Sequence, residues 1–140
     1  MTTVRILKAT PYLLGPNDDY ATTLGAVMKK LNSAREKGQR GMDAAEAPKG
    51  QEAAASLIAR AYASAAQSLA KPDMKHEAAP ANDGLVAALR RASDSYDAMA
   101  AAANRENAED WGAAKQRASK RDEEVRQRLR DLRSLGYAVG

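Results

Sequence analysis

Histidines and paired carboxylates are the side chains that most often carry chemistry in helical proteins, and this chain contains one histidine, His76. It stands beside Glu77 in a proline-bracketed stretch, which favours an exposed loop residue over the alternatives of a ligand or a pH sensor. Di-iron sites in helical bundles need several inward-facing glutamates and two Glu-x-x-His motifs. No glutamate lies three residues before His76, so the sequence predicts no metal site.

A second candidate for chemistry is the pair Asp94 and Asp97, whose spacing places both carboxylates on one face of a predicted helix. Such a pair can perform acid–base chemistry when burial separates the two pKa values. The flanking Ser93 and Ser95 instead indicate a solvated face. The chain also lacks cysteine, a glycine-rich phosphate loop and a nucleophile elbow. We therefore expect no catalytic residue and no cofactor, and a protein that is not an enzyme.

Arg126, Arg130 and Arg133 share one face of the last predicted helix, where they could hold phosphate, an acidic polymer or an acidic protein. Acidic residues precede them at spacings that allow ordinary surface pairs, such as Asp122 with Arg126, and this is the alternative. The net charge is +4, with basic and acidic residues interleaved along the chain. A dedicated nucleic-acid surface shows a one-sided basic stripe, so the charge pattern argues against one.

The elements that must position these residues are helices. Apolar residues recur every three to four positions in four stretches, and alanine, with 32 residues, supplies more than half of them. Small side chains let helices approach closely and leave little volume for a pocket. The thin core that results favours association with further copies of the chain. The pattern predicts an all-α, antiparallel four-helix bundle over residues 17–140, with an extended N-terminal arm at 1–16 and helices at about 17–46, 51–71, 83–103 and 108–135.

Polar residues that can accept hydrogen bonds from free amides mark the expected helix starts, and a glycine marks the last stop. The expected caps are Asn17 or Asp18 for helix 1, Asn82 or Asp83 for helix 3, and Asn107 for helix 4, while Gly136 is the expected stop.

Three positions leave alternatives open. Helix 1 either frays near Gly38 or continues with a glycine-lined close contact. The apolar stripe of helix 4 is interrupted by Arg121 or Asp122, which forms either a solvated shoulder or a buried polar pair that fixes the register. Trp111 is either a core residue or an exposed recognition residue.

The arm contains prolines at 11 and 16, which exclude a regular helix. It either covers an exposed apolar stripe of the bundle or serves as a linker or docking strand for a partner. Together with the arginine face, the arm supplies the candidate partner-binding residues Val4, Ile6, Tyr12, Leu13, Leu14, Arg126, Arg130 and Arg133.

Residues 84–140 resemble the alanine-rich helical domains of uncharacterised actinobacterial cell-envelope proteins, which are membrane-anchored or secreted. The positions that carry the resemblance are Ala88, Leu89, Tyr96, Ala100–Ala103, Leu132, Leu135, Gly136 and Tyr137. The resemblance implies a non-catalytic extracytoplasmic module. Those relatives tend to carry an N-terminal membrane anchor, whereas this sequence shows no signal peptide and no stretch of about 20 apolar residues.

The expected function is a non-enzymatic binding or scaffolding domain that contacts another protein, at the cell envelope. The alternative is a small basic protein, cytoplasmic or of phage type, that associates with nucleic acid. Nucleic-acid binding that weakens steeply as the salt concentration rises would distinguish this alternative from the protein-binding domain.

Overall fold

A computed structural model describes residues 17–70 and 77–138, and within these ranges the chain forms four α-helices and no strand. Cross-helix contacts join the end of the first helix to the start of the second, the end of the second to the start of the third, and the start of the third to the end of the fourth, so sequence neighbours run antiparallel. The all-α bundle predicted from the sequence is confirmed, while the arm at 1–16 and His76 lie outside the described residues. The helices are α1 (Asp18–Ala44), α2 (Pro48–Ala70), α3 (Ala79–Asn104) and α4 (Ala108–Ser134).

Side-chain caps begin the first and last helices as the sequence predicts. The Asn17 side chain accepts a hydrogen bond from the Tyr20 backbone N–H at 2.9 Å. The Asn107 side chain accepts one from the Asp110 N–H, also at 2.9 Å. Each bond satisfies an amide that has no partner within its helix.

Two helix starts differ from the sequence prediction. α2 begins at Pro48 rather than 51, and α3 begins at Ala79 rather than 83, with Pro80 in its first turn. Proline suits a first turn because its missing N–H would lack a helical partner there. The expected cap at Asn82 or Asp83 is therefore wrong, since both residues lie inside the helix. The remaining helix ends lie within two residues of the predicted ones.

α3 and α4 end in the same backbone motif, in which a residue in the left-handed region follows the helix and two N–H groups bond back to the last turn. In α4 this residue is Gly136, with φ of 98°, which confirms the expected stop. In α3 it is Glu106, with φ of 54°. The returning bonds join Gly136 N to Arg133 O, Tyr137 N to Leu132 O, Glu106 N to Ala103 O and Asn107 N to Ala102 O.

Small residues bring consecutive helices together. Between α2 and α3, the short side chain of Ser93 donates to the backbone carbonyl of Ala59 at 2.9 Å, which requires close backbones. Between α1 and α2, Gly38 is buried, and a methyl group there would overlap Ile58 Cγ1. Of the two alternatives for helix 1, the glycine-lined contact is the one observed.

α1 and α4 are also neighbours but remain further apart. Among the described residues, close backbone approaches join only helices consecutive in the chain. At one end of the α1–α4 interface, the Tyr137 ring lies edge-on to Tyr20, with centroids 5.2 Å apart, and its hydroxyl accepts from Asn17 N at 2.9 Å. Further along, Arg35 approaches Asp122. Side chains, rather than close backbones, therefore connect these two helices.

Candidate functional site

A cluster of polar side chains lies where the apolar stripe of α4 is interrupted. The Tyr62 hydroxyl of α2 donates to Asp122 Oδ1 at 2.5 Å, and the Tyr96 hydroxyl of α3 donates to Oδ2 at 2.7 Å. The Asp122 side chain is only 15% exposed. Of the two alternatives left open by the sequence, the polar contact is the one observed, although it is partly rather than fully buried. It joins α2, α3 and α4 through one carboxylate.

Arg35 of α1 completes this cluster, which we call the Asp122 cluster: Arg35, Tyr62, Tyr96 and Asp122. The guanidinium carbon of Arg35 lies 5.7 Å from the centroid of the Tyr62 ring, within the range of a cation–π contact. Its Nη2 atom is 4.0 Å from Asp122 Oδ2, an ion pair without a hydrogen bond. The two tyrosine rings stack at 5.7 Å with 20° between their planes. Packing and charge together fix the position of Arg35.

The electrostatics of the cluster keep both hydroxyls protonated. Burial raises the pKa of Tyr62 and the pKa of Tyr96 well above the ordinary tyrosine value, and the negative charge of Asp122 raises them further. Both hydroxyls therefore remain donors, and both Asp122 oxygens remain occupied as acceptors. A carboxylate held in this way connects helices and is poorly placed to accept a substrate proton.

A cleft of about 380 Å³, lined by residues of α1, α2 and α3, opens beside the Asp122 cluster. Within the described residues, the Gln39 amide donates to Asp43 at 3.0 Å, whereas Asn32, Arg35 and Glu36 make no hydrogen bond through their side chains. The cleft is thus lined by polar groups that remain available. Its lining residues are Asn32, Arg35, Glu36 and Gln39 from α1, Ile58 from α2 and Tyr96 from α3.

A second buried polar contact lies nearer the other end of the bundle. Asn82, 3% exposed, accepts from the Tyr20 hydroxyl at 2.6 Å and donates to the Leu69 carbonyl at 2.9 Å. Burial raises the pKa of Tyr20, which keeps its proton for this bond. Asn82, which the sequence analysis expected to cap α3, therefore lies inside that helix and joins α1, α2 and α3.

The arginine face of α4 is exposed and internally ordered. Arg126 donates to Glu123 at 2.7 and 3.0 Å, and Arg130 donates to the same carboxylate at 3.1 Å. The two guanidinium groups hold the pKa of the Glu123 carboxyl below its usual range. Arg133 is exposed as well. Ordinary surface pairing, the alternative that the sequence offered for these arginines, is observed for Arg126 and Arg130, but with Glu123 as the partner. The example pair of Asp122 with Arg126 is not formed, because both Asp122 oxygens accept hydrogen bonds from tyrosines.

The other sequence candidates have mixed outcomes. Asp94 and Asp97 are exposed, as expected. Trp111 is half-buried and packs against the core, so it is neither fully exposed nor fully enclosed. The arm residues Val4, Ile6, Tyr12, Leu13 and Leu14 lie outside the described residues.

The sequence analysis did not single out Arg35 or Asn32. A signal for the cluster did exist, because a charged residue interrupted one apolar stripe while Tyr62 and Tyr96 occupied two others. Buried tyrosine hydroxyls need hydrogen-bond partners, and Asp122 is an acceptor at the same height along the bundle as the two tyrosines. No such argument could identify Arg35, whose position depends on the spacing between α1 and α4.

Fold and site together define a four-helix bundle whose open interface is bridged by a shared carboxylate. Comparison with known protein families, curated proteins and solved structures gave no match to the chain. Across residues 17–70 and 77–138, no group of histidine and acidic side chains is arranged to hold a metal ion. No helix in the same ranges has an apolar stretch sufficient to cross a bilayer.

Proposed function

We propose that the chain is a non-enzymatic binding or scaffolding domain that acts through protein–protein contact at the cell envelope. The observation that carries this proposal is the exposed face of α4, where Glu123 orients Arg126 and Arg130, whose side chains are 52% and 48% exposed. Arginine is enriched in protein interfaces and in their most energetic positions. Because these guanidinium groups already hold a fixed geometry, less side-chain freedom is lost on binding.

The charge of this face favours an acidic protein surface as partner. Glu123 shares its single negative charge between Arg126 and Arg130, which leaves one excess positive charge in this group. The neighbouring acids of α4 are occupied elsewhere: Glu124 bonds Arg91 at 2.8 Å and Asp131 pairs with Arg128. The face therefore carries excess positive charge, which attracts carboxylates and speeds association.

Placement at the cell envelope rests on the resemblance of residues 84–140 to envelope proteins. Accessibility of the chain to protease in intact host cells tests this part separately. Degradation without cell lysis supports it, and full protection contradicts it.

In-cell cross-linking tests the contact itself. One variant replaces Arg126, Arg130 and Arg133 with glutamine, and a matched control replaces three exposed cations elsewhere, Lys29, Arg60 and Arg90. The wild type and the control should cross-link the same protein, and that protein, once purified, should bind the arginine variant at least about tenfold more weakly. Equal affinity for all three forms would contradict the assignment of this face.

A gel-shift titration distinguishes the nucleic-acid alternative. A protein-binding face predicts no shift of mixed-sequence duplex DNA even at low salt. A shift that weakens steeply with salt, and that the arginine variant loses, would favour nucleic acid, because phosphate contacts release counterions.

A further inference from the structure

We propose that the cleft beside the Asp122 cluster binds a small organic zwitterion carrying one carboxylate and one ammonium group. This goes beyond the proposed protein contact, because the cleft shares no lining residue with the arginine face of α4. Its lining residues come from α1, α2 and α3.

Size and rigidity suit the cleft to a small ligand. Its volume, about 380 Å³, falls within the range of roughly 300–1,000 Å³ typical of small-molecule sites. Its base is formed by Ile58 and Tyr96, which are 2% and 6% exposed and belong to the packed core. These residues offer a fixed apolar surface beneath a polar wall, so a ligand with a modest apolar group would be held without rearrangement of the bundle.

Arg35 is the group that would bind the carboxylate. The Tyr62 ring and the Asp122 charge hold its guanidinium in place, yet the 4.0 Å separation from Asp122 is too long for a hydrogen bond. Asp122 has both oxygens engaged by Tyr62 and Tyr96. The N–H groups of Arg35, one-third exposed beside the cleft, are thus unsatisfied within the described residues. Their planar fork matches a carboxylate through two parallel hydrogen bonds.

Glu36 and Asn32 supply the complementary half of the site. They lie one turn apart on the same wall, and neither side chain has a hydrogen-bond partner among the described residues. The Glu36 carboxylate can accept from an ammonium group, and the Asn32 amide can donate or accept.

The charge balance of the site selects a zwitterion over a simple ion. Arg35 and Asp122 compensate each other, and Arg126, a further cation that acts on Tyr96, is paired with Glu123. Glu36 then leaves one uncompensated negative charge at the rim. Glu36 would repel a simple carboxylate and Arg35 would repel a simple amine, whereas a molecule with both groups pairs with each.

NMR titration of the ¹⁵N-labelled chain with L-leucine, L-leucinamide and N-acetyl-L-leucine tests the proposal. These probes share one apolar side chain but carry both charges, the ammonium alone, or the carboxylate alone. We expect saturable shifts centred on Asn32, Arg35 and Tyr96, with leucine bound at least about tenfold more tightly than either derivative. No saturable shift with any probe at millimolar concentration, or equal affinity for all three, would overturn the proposal.

Two substitutions assign the two charges. Arg35→Gln should abolish binding, and Glu36→Gln should weaken leucine to the level of N-acetyl-leucine while leaving N-acetyl-leucine unchanged or tighter. Lys30→Gln is the matched control, since Lys30 faces the groove towards α2 and should leave every affinity unchanged.

A further variant guards against loss of folding. Because Arg35 also contacts Tyr62, Arg35→Gln could destabilise the bundle. Arg35→Lys retains the charge but lacks the planar pair of N–H donors, so the affinity for leucine should fall several-fold while the NMR spectrum stays dispersed. Wild-type affinity in folded Arg35→Gln or Arg35→Lys would overturn the role of Arg35.

Discussion

The α2–α3 interface and the α1–α4 interface join neighbouring helices in opposite ways. Across α2–α3, small side chains bring the backbones so close that a serine hydroxyl bonds the carbonyl of Ala59. Across α1–α4 the backbones stay apart, and long side chains span the gap, with Arg35 approaching Asp122 at 4.0 Å. The first interface depends on van der Waals contact between small groups, and the second depends on contacts between long polar and aromatic side chains.

The difference shows where an alanine-rich bundle has room. Small side chains were expected to leave little volume for a pocket. The clefts between consecutive helices are about 100 Å³ between α1 and α2 and about 240 Å³ between α2 and α3. The cleft beside the Asp122 cluster is larger, at about 380 Å³, and Arg35 and Tyr96 of that cluster line it.

The largest effect is expected from Asp122→Leu, which removes the shared acceptor of the open interface. Two buried tyrosine hydroxyls and Arg35 would lose their partner, and the free energy of unfolding should fall by about 2–5 kcal/mol, measured by urea denaturation. Adding Tyr62→Phe and Tyr96→Phe should restore most of the loss, because an apolar cluster of similar volume needs no acceptor. If Asp122→Leu alone were as stable as the wild type, the contacts of Asp122 would contribute nothing to stability.

In the close interface, Ser93→Leu should cost about 3 kcal/mol, because a larger, branched side chain with two additional heavy atoms must fit between packed backbones. Ser93→Ala removes only the hydroxyl and should cost less than about 1 kcal/mol, since the Ala59 carbonyl retains its helical partner. Thermal denaturation of both variants separates packing from hydrogen bonding. Equal losses would mean that the bond, and not the close approach, stabilises this interface.

Gly38→Ala extends the comparison to the α1–α2 interface. The new methyl group would overlap Ile58, and the displacement should cost about 1–3 kcal/mol. Gly25→Ala in the same helix meets no atom within 4 Å and should stabilise by about 0.5–1 kcal/mol, because alanine is the better helix former. Changes of the same sign in urea titrations of the two variants would contradict the close approach at Gly38.

The smallest effect is expected at the end of α3, outside both interfaces. Glu106→Gly relieves a left-handed backbone and should raise stability by about 1 kcal/mol. Gly136→Ala, at the equivalent position after α4, should lower it by a similar amount. The melting temperatures of both variants, measured by calorimetry, give the size of a purely local backbone effect for comparison with the interface variants. An unchanged melting temperature for Glu106→Gly would show that the backbone at Glu106 is not strained.

Local signals predicted the helices well because they depend on nearby residues. The caps at Asn17 and Asn107 and the stop at Gly136 follow from hydrogen bonds to atoms only a few residues away. The start of α3 was misplaced because an asparagine resembles a cap wherever it stands. Asn82 is instead committed to Tyr20, 62 residues away in the chain.

The candidate site was predictable only in part. The interruption at Asp122 was visible in the sequence as a charge in an apolar stripe. A buried polar pair was one of the two alternatives for it. Its partners, Tyr62 and Tyr96, are 60 and 26 residues distant. Arg35 could not be recognised, because an arginine on a helix surface acquires a role only when the opposite helix is known.

The sequence by itself determined the number of helices, most of their ends and the small residues along their stripes, because periodicity and capping are local properties. Only the tertiary structure decided which interface would be close and which would remain open. That choice depends on the sizes of facing residues from different helices, and on where Asp122 finds its hydroxyl donors. The chain thus specifies four helices locally, while the cleft beside Arg35 forms only where residues of α1, α2 and α3 meet in the folded bundle.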